Sequence, residues 1–479
     1  MIKTDNRVTD VNIAYIGGGS MGWAWGLMSD LATEEQMSGT VRLYDIDAEA
    51  AKRNEKIGLR LQKNAGVKSH WDYKAVGSLQ EALTGTDFVV ISILPATFDQ
   101  METDVHLPEK YGIYQAVGDT VGPGGLVRAL RTIPMYVEIA EAIKKWAPEA
   151  WVINYTNPMT LCTRTLYEVF PQIKAFGCCH EVFGTQDLLK SALADIEGIE
   201  APHRRDIKVN VLGINHFTWL DKATYEGRDL FPVYRKFVEK YYESGFEKTA
   251  KGHWLNDFFS SANRVKFDLF KRYGIIAAAG DRHLAEFCPP WYLKDPDTAS
   301  SWMFSLTPVS WRKTNLVERR EKGNRLISGE ETFELKLTGE DGILQMKAIV
   351  GLGDFVTNVN LPNYGQISNL PMGAVVETNA VFSRNNVRPV NAGALPDDVQ
   401  SLVYRHVVNQ ETTLKAALKK DKDLAFRAFA NDPLMTASLR DAWQLFIEML
   451  QATKAYLPGW NLDQSAMHPG KASCPSGRK

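Results

Sequence analysis

No apolar run of about 20 residues, the length that crosses a bilayer, occurs anywhere in the 479 residues. Met1 to Val11 is polar and lacks the apolar centre of a secretory signal, so a cytoplasmic location is the expectation. Cysteine is scarce. The five residues, Cys162, Cys178, Cys179, Cys288 and Cys474, are odd in number and show no framework spacing, which excludes a disulfide scaffold. An excess of one charge is missing too, with 55 Lys and Arg against 57 Asp and Glu. Neither a nucleic acid nor an anionic membrane surface is therefore an expected partner. With 44% hydrophobic and 10% aromatic residues the chain is not disordered. No internal repeat is visible, and the length is enough for two domains with substantial cores. Small molecules are the expected ligands.

Short apolar runs alternate with longer helical patterns over the first 215 residues. Strands are expected at Val11 to Ile16, Val41 to Tyr44, Phe88 to Ile93, Trp151 to Asn154, Ile173 to Phe176 and Ile207 to Leu212. This rhythm predicts an α/β fold with a Rossmann-like parallel sheet, in which ligands bind beyond the carboxyl ends of the strands. The first strand runs into Gly17-Gly18-Gly19-Ser20-Met21-Gly22. Gly17, Gly19 and Gly22 satisfy the dinucleotide fingerprint, which lets the backbone approach a pyrophosphate at a helix N-terminus. Asp45 ends the next strand, where an acid meets the ribose hydroxyls of NAD and repels the extra phosphate of NADP. A solvated Asp at a strand end is the plainer alternative.

Beyond about residue 220 the pattern becomes aromatic-rich helix, then strand-like alternation over Thr332 to Val359, then long helices from Pro396 to Leu450. The expected domains are 1–205, which binds NAD, and 206–455, a mixed α+β domain for substrate, catalysis and oligomerisation. Residues 456–479, rich in Pro, Gly and Ser, read as a loosely held tail.

The strand ends Ser92 to Pro95, Asn154 to Pro158, Cys178 to Glu181 and Gly213 to His216 are expected around one cleft, and chemistry-bearing residues collect there and in two further segments. Gly118 to Gly125 holds four glycines and precedes Arg128 and Arg131, which suits either close approach to a ligand or a mobile surface loop. Asn154 and Asn157 carry amides that can hold sugar hydroxyls, although Asn before Pro is also good turn chemistry. Cys179, with His180 beside it, and His216 could share a divalent metal, or could be an ordinary buried thiol and a structural imidazole. Asp281, Arg282 and His283 offer a base and cations for an acidic substrate, or solvated charges in a loop.

Taken together, these blocks resemble the family 4 glycoside hydrolases, which use NAD and a divalent metal. The blocks are Gly17 to Gly22, Gly122-Pro123-Gly124-Gly125 through Pro134, Asn154-Tyr155-Thr156-Asn157-Pro158, Cys179-His180-Glu181-Val182, Gly213-Ile214-Asn215-His216, Gly280-Asp281, and Asn358-Val359-Asn360 through Pro371. The resemblance covers roughly residues 11 to 455. It implies a second domain like the C-terminal domain of lactate and malate dehydrogenases, and NAD held by Gly17, Gly19, Ser20, Met21, Gly22 and Asp45. It further implies manganese or a similar ion on Cys179 and His216, Asp281 as the base, and His180 as the proton donor. Asn154, Asn157, Arg282 and His283 would meet the substrate. The implied reaction oxidises carbon 3 of the sugar, eliminates the glycosidic oxygen after loss of the proton on carbon 2, adds water and returns the hydride.

Cys-His-Glu-Val is similar to the subgroup acting on alpha-linked galacturonic acid, and a homodimer or homotetramer is implied. Within the same chemistry, an alpha-glucosidase, alpha-galactosidase or alpha-glucuronidase stays open. Outside it stand an NAD-dependent hydroxy-acid dehydrogenase and a non-catalytic NAD sensor.

Overall fold

The computed structural model describes residues 1–4, 6–201, 203–247 and 257–462. The expected tail lies outside these residues from 463 onward, as does Cys474. The fold is α/β. A ten-stranded sheet carries six parallel strands in the spatial order Lys174–Gly177, Trp151–Asn154, Phe88–Ile91, Val8–Ile16, Met37–Tyr44 and Trp71–Ala75. Chain order reverses between Val8–Ile16 and Phe88–Ile91, the switch point of a doubly wound sheet. Alternation decides which side each residue faces: Ile13 and Tyr15 pack with Trp25 and Met28 on one side, Ala14 and Ile16 with Tyr136 and Ile143 on the other. Phe88 to Ile91 is buried throughout, as a strand covered on both faces by helices must be.

Three antiparallel strands, Phe355–Pro362, Val375–Ser383 and Asn386–Pro389, extend this sheet beyond Lys174–Gly177, so one sheet joins the beginning and the later part of the chain. Two expectations need correction. Ile207–Ile214 does not join the parallel sheet; it pairs antiparallel with Phe217–Tyr225 in a separate four-stranded sheet. The two residues between them, Asn215 and His216, can close a hairpin but cannot make the crossover that parallel pairing needs. Thr332 to Val359 is not continuous strand either. After the helix Val309–Ser328 comes a stretch without regular structure, then the helix Gly342–Val350, where Ile343, Met346 and Ile349 are buried at helical spacing, and only then the strand from Phe355.

The C-terminal helices Asp397–Lys419, Lys422–Ala430 and Leu439–Ala452 bury Leu414, Phe426, Phe429 and Phe446 against Val127, Leu130 and Ile133 of the long helix Gly122–Trp146. That helix is held from its other side by a fully buried ion pair. The Arg131 guanidinium donates to both oxygens of Asp104, one at 2.9 Å, and its Nε donates to the carbonyl of Pro95 at 3.2 Å. The pair ties this helix to the helix Phe98–His106, which carries Asp104, and the Pro95 contact adds the loop after the strand Phe88–Ile91. Among the described residues no helix is long and apolar enough to cross a membrane.

Removing one partner of a buried pair strands the other charge in the interior at about 3–5 kcal/mol. Asp104→Ala should therefore lower the melting temperature by several degrees in thermal unfolding. A melting temperature matching the parent's would show that the pair is not a structural anchor.

Candidate active site

The glycine turn sits at the switch point. Gly17 has φ +92°, a left-handed conformation that disfavours side chains, and a Cβ there would stand 2.0 Å from the Ser92 carbonyl oxygen. A Cβ on Gly19 would stand 2.4 Å from the Ala50 side chain, so both positions need the missing side chain. Asn54, buried beneath, donates to the carbonyls of Gly18 and Ser20 at 2.7 and 2.9 Å and accepts from the Trp25 indole at 2.8 Å. This turns the carbonyls inward. The helix Trp23–Thr33 then begins at Gly22 with no side-chain cap, leaving its first N–H groups for an anion. Met21 contributes a carbonyl that accepts from Arg319 at 3.2 Å. The Asp45 carboxylate braces the turn, accepting from the Gly19 and Asp47 N–H groups at 2.9 Å each. The cradle fits a dinucleotide, and a negative charge at Asp45 suits NAD over NADP.

A second group lies beyond the later strand ends. One ligand atom each from Asp119, His216 and His283 lies within 4.8 Å of the others. His216 stands in the two-residue turn of the hairpin with φ +64°, and its ring stacks on His283 at 3.8 Å between centroids. Thr120 Oγ1 bridges Asp119 Oδ1 at 2.7 Å and His216 Nδ1 at 2.9 Å. His283 pairs through Nδ1 with Glu181 at 3.1 Å, while its Nε2 is buried without a partner. A carboxylate behind one ring nitrogen fixes the tautomer and frees the other nitrogen to bind. Two imidazoles and a carboxylate suit manganese, iron or zinc.

Charge in this pocket is balanced from several elements. Burial alone raises Glu181 and Asp119, yet both are held below the carboxylate range, chiefly by His283, with His180 adding at Glu181 and Arg128 at Asp119. Burial, with the His283 charge beside it, lowers His216 to about 3, so the neutral imidazole that a metal needs is the resident form. Glu377, pushed up to about 7 by burial, accepts from Asn358 at 2.6 Å and Asn215 at 3.3 Å beneath the group. The Oδ1 atoms of Asn157 and Asn215 are buried without partners.

The expected residues divide. Cys179 is buried and lies outside the three-residue group. Burial and the charges of Glu377 and Glu181 push its thiol well above the usual range, and the Asn215 amide stands beside it. His180 is half exposed and pairs with Glu340 at 2.8 Å, which raises it to about 9; its ring stacks on Trp23, the first residue of the helix beyond the glycine turn. Asn157 reaches Asp119 at 3.2 Å and belongs to the site. Asn154 does not reach it, because the Tyr136 hydroxyl and the Thr156 backbone take up both ends of its amide.

Arg282 is also turned away, its Nε and Nη2 donating to Ser305, Ala116 and Thr307. Asp281 is not in a loop; it begins the helix Asp281–Phe287, and its carboxylate accepts the N–H groups of Val265 and Lys266 at 3.2 and 3.1 Å. The carboxylate thereby caps the N-terminus of the helix Arg264–Tyr273. Asp119, Thr120 and Glu181 were not among the expected site residues. The glycine-rich loop pointed toward the first two, and Glu181 follows Cys179 and His180 at a strand end, although the sequence assigned it no role.

Similarity to known proteins follows the same lines. The family model described as "Family 4 glycosyl hydrolase" matches residues 12–195, and "Family 4 glycosyl hydrolase C-terminal domain" matches residues 211–435. The alpha-galacturonidase of Thermoanaerobacterium saccharolyticum is 68% identical over 463 residues, spanning 96% of this chain and 100% of that one. The crystal structure of lplD from Bacillus subtilis is 56% identical with a TM-score of 0.89, covering 92% of this chain and 100% of that one. A 6-phospho-alpha-glucosidase from gut microorganisms, solved in complex with NAD and Mn2+, has the same fold at 20% identity, with a TM-score of 0.77, covering 94% of this chain and 100% of that one. Both halves of the sequence and the fold as a whole agree: this chain belongs to family 4 of the glycosyl hydrolases.

Proposed function

We propose that this chain hydrolyses glycosides ending in alpha-linked galacturonic acid, with NAD and a divalent ion such as Mn2+ as cofactors. The observation that carries the reaction class is the pairing of a glycine cradle at the sheet switch point with the Asp119, His216 and His283 group. The sugar preference rests on the full-length likeness to an alpha-galacturonidase.

Residues 1–205 hold the nucleotide through Gly17, Gly19, Ser20, Met21, Gly22 and Asp45. Residues 206–455 supply His216 and His283 and act as a homodimer or homotetramer in the cytoplasm. Asp119, His216 and His283 would hold the ion, with Cys179 beside them. When bound, the two cofactors supply reversible hydride transfer and Lewis-acid polarisation, which makes the carbon next to an oxidised centre acidic. His180, cationic near neutral pH through its pairing with Glu340, is suited to protonate the leaving oxygen. Asn157 offers its free amide oxygen to a sugar hydroxyl. Asp281 stands among the supporting residues, and His216, kept neutral, stays available as a ligand.

Chelation should abolish hydrolysis of a nitrophenyl alpha-galacturonide, and manganese should restore it. NAD should be needed in catalytic amount, with no NADH accumulating, and in heavy water the product should carry deuterium at carbon 2. Steady accumulation of NADH would point instead to a dehydrogenase. Gly17→Ala should weaken NAD binding, followed by fluorescence titration, at least about 10-fold, since the new methyl must displace the Ser92 carbonyl. Asp281→Asn should lower the melting temperature while product from heavy water still carries deuterium at carbon 2. Loss of hydrolysis with stability intact would return Asp281 to the role of base.

A further inference from the structure

A uronic acid differs from its neutral hexose by one carboxylate, and that charge needs a cation that is not already spent. Two expected cations are committed: Arg282 donates to backbone carbonyls and a threonine, and His283 is bound to Glu181. Arg128 and Arg312 remain, and Arg312 reaches the same Phe259 ring as Arg282. Arg128 is buried, uses its Nε on the Asn157 carbonyl at 3.1 Å, and has a buried Nη1 without a partner. Arg312 lies in the first turn of the helix Val309–Ser328, half-buried, with its guanidinium 5.3 Å from the Phe259 ring centroid. Among the described residues Arg312 makes no hydrogen bond or ion pair.

Burial and the nearby charge of Arg128 both press Arg312 toward its neutral form, while Asp119 favours the charged one. Asp119 is hydrogen-bonded to Thr120 and Asn157, with no ion pair to either arginine. Both guanidinium groups act electrostatically on a carboxylate with which neither makes an ion pair, and removing such a group from water without a counter-charge is costly. A carboxylate from outside the chain would relieve that cost.

We propose that Arg312, supported by the Nη1 of Arg128, receives the carboxylate of the uronic acid and sets the preference for a uronide over the neutral glycoside. This rests on the galacturonidase reading and adds to it the residue that selects the acid. The planar guanidinium donates two parallel hydrogen bonds to a carboxylate, a pairing that a neutral hydroxymethyl group cannot form. The Phe259 ring holds the guanidinium plane in place. Because Arg312 comes from a helix near residue 310 and Asp119 from the loop before residue 125, the acid-binding wall forms only when distant parts of the chain meet.

The test compares matched nitrophenyl alpha-galacturonide and alpha-galactoside on the holoenzyme, together with calorimetric binding of free D-galacturonate. In Arg312→Met the ratio of kcat/KM for galacturonide over galactoside should fall about 10- to 100-fold, as expected for loss of a charge-assisted pair, chiefly through KM. Arg312→Lys should recover part of the ratio, and affinity for D-galacturonate should fall in parallel while the melting temperature holds. An equal loss on both substrates, or unchanged D-galacturonate affinity in Arg312→Met, would overturn the proposal. A parent enzyme that prefers the galactoside would overturn the galacturonidase reading itself, whatever Arg312 does.

Discussion

The site depends on a hairpin that closes in two residues. Because Ile214 pairs directly with Phe217, Asn215 and His216 must turn the chain, and His216 takes a left-handed conformation that costs a β-region residue about 1–3 kcal/mol. In return the imidazole points where a strand residue could not, onto the face of His283 and beside Asp119. Every other group in the pocket answers to that placement. Thr120 bridges it, His283 stacks on it, and Glu181 restrains His283 while accepting the Gly280 N–H at 2.5 Å.

Assembly of the pocket follows from one sheet continuing through distant parts of the chain. The strand Phe355–Pro362 lies against Lys174–Gly177, which brings Asn358 under Cys179, whose carbonyl accepts from the Asn358 amide at 3.3 Å. The C-terminal segment contributes in the same way, since Asp432 accepts the Gly122 N–H at 3.0 Å and so steadies the loop that carries Asp119 and Thr120. A buried polar layer of this kind holds its geometry only when its members are satisfied, and Asn157, Asn215 and His283 each keep one buried atom without a partner.

Legibility in the sequence followed the range of the interactions. Gly17 to Gly22 could be read because the glycine turn, its strand and its helix are neighbours in the chain, and the backbone alone defines the cradle. The six strands expected before residue 215 were readable for the same reason, since apolar runs report burial, whereas Trp71–Ala75 and Val375–Ser383 were not anticipated. The partner of a strand was not: Ile207–Ile214 looks like the parallel strands before it, and only the short turn after it decides otherwise. Side-chain duty was less legible still. Asp281 and Arg282 have the chemistry of a base and an anion receptor, yet the backbone groups of Val265, Lys266, Ala116 and Ser305 claim them.

By itself the sequence determined an α/β chain in charge balance, a glycine turn between its first strand and helix, and the blocks of its family. Those features are local, and composition or a few adjacent residues carry them. Tertiary structure alone decided that Asp119 joins His216 and His283, that Glu181 stands behind them, and that Arg312 rather than Arg282 keeps an unspent charge. Each of those results is a meeting of residues separated by tens to hundreds of positions. Burial then sets their protonation, because a charge removed from water takes its state from whatever neighbour the fold supplies.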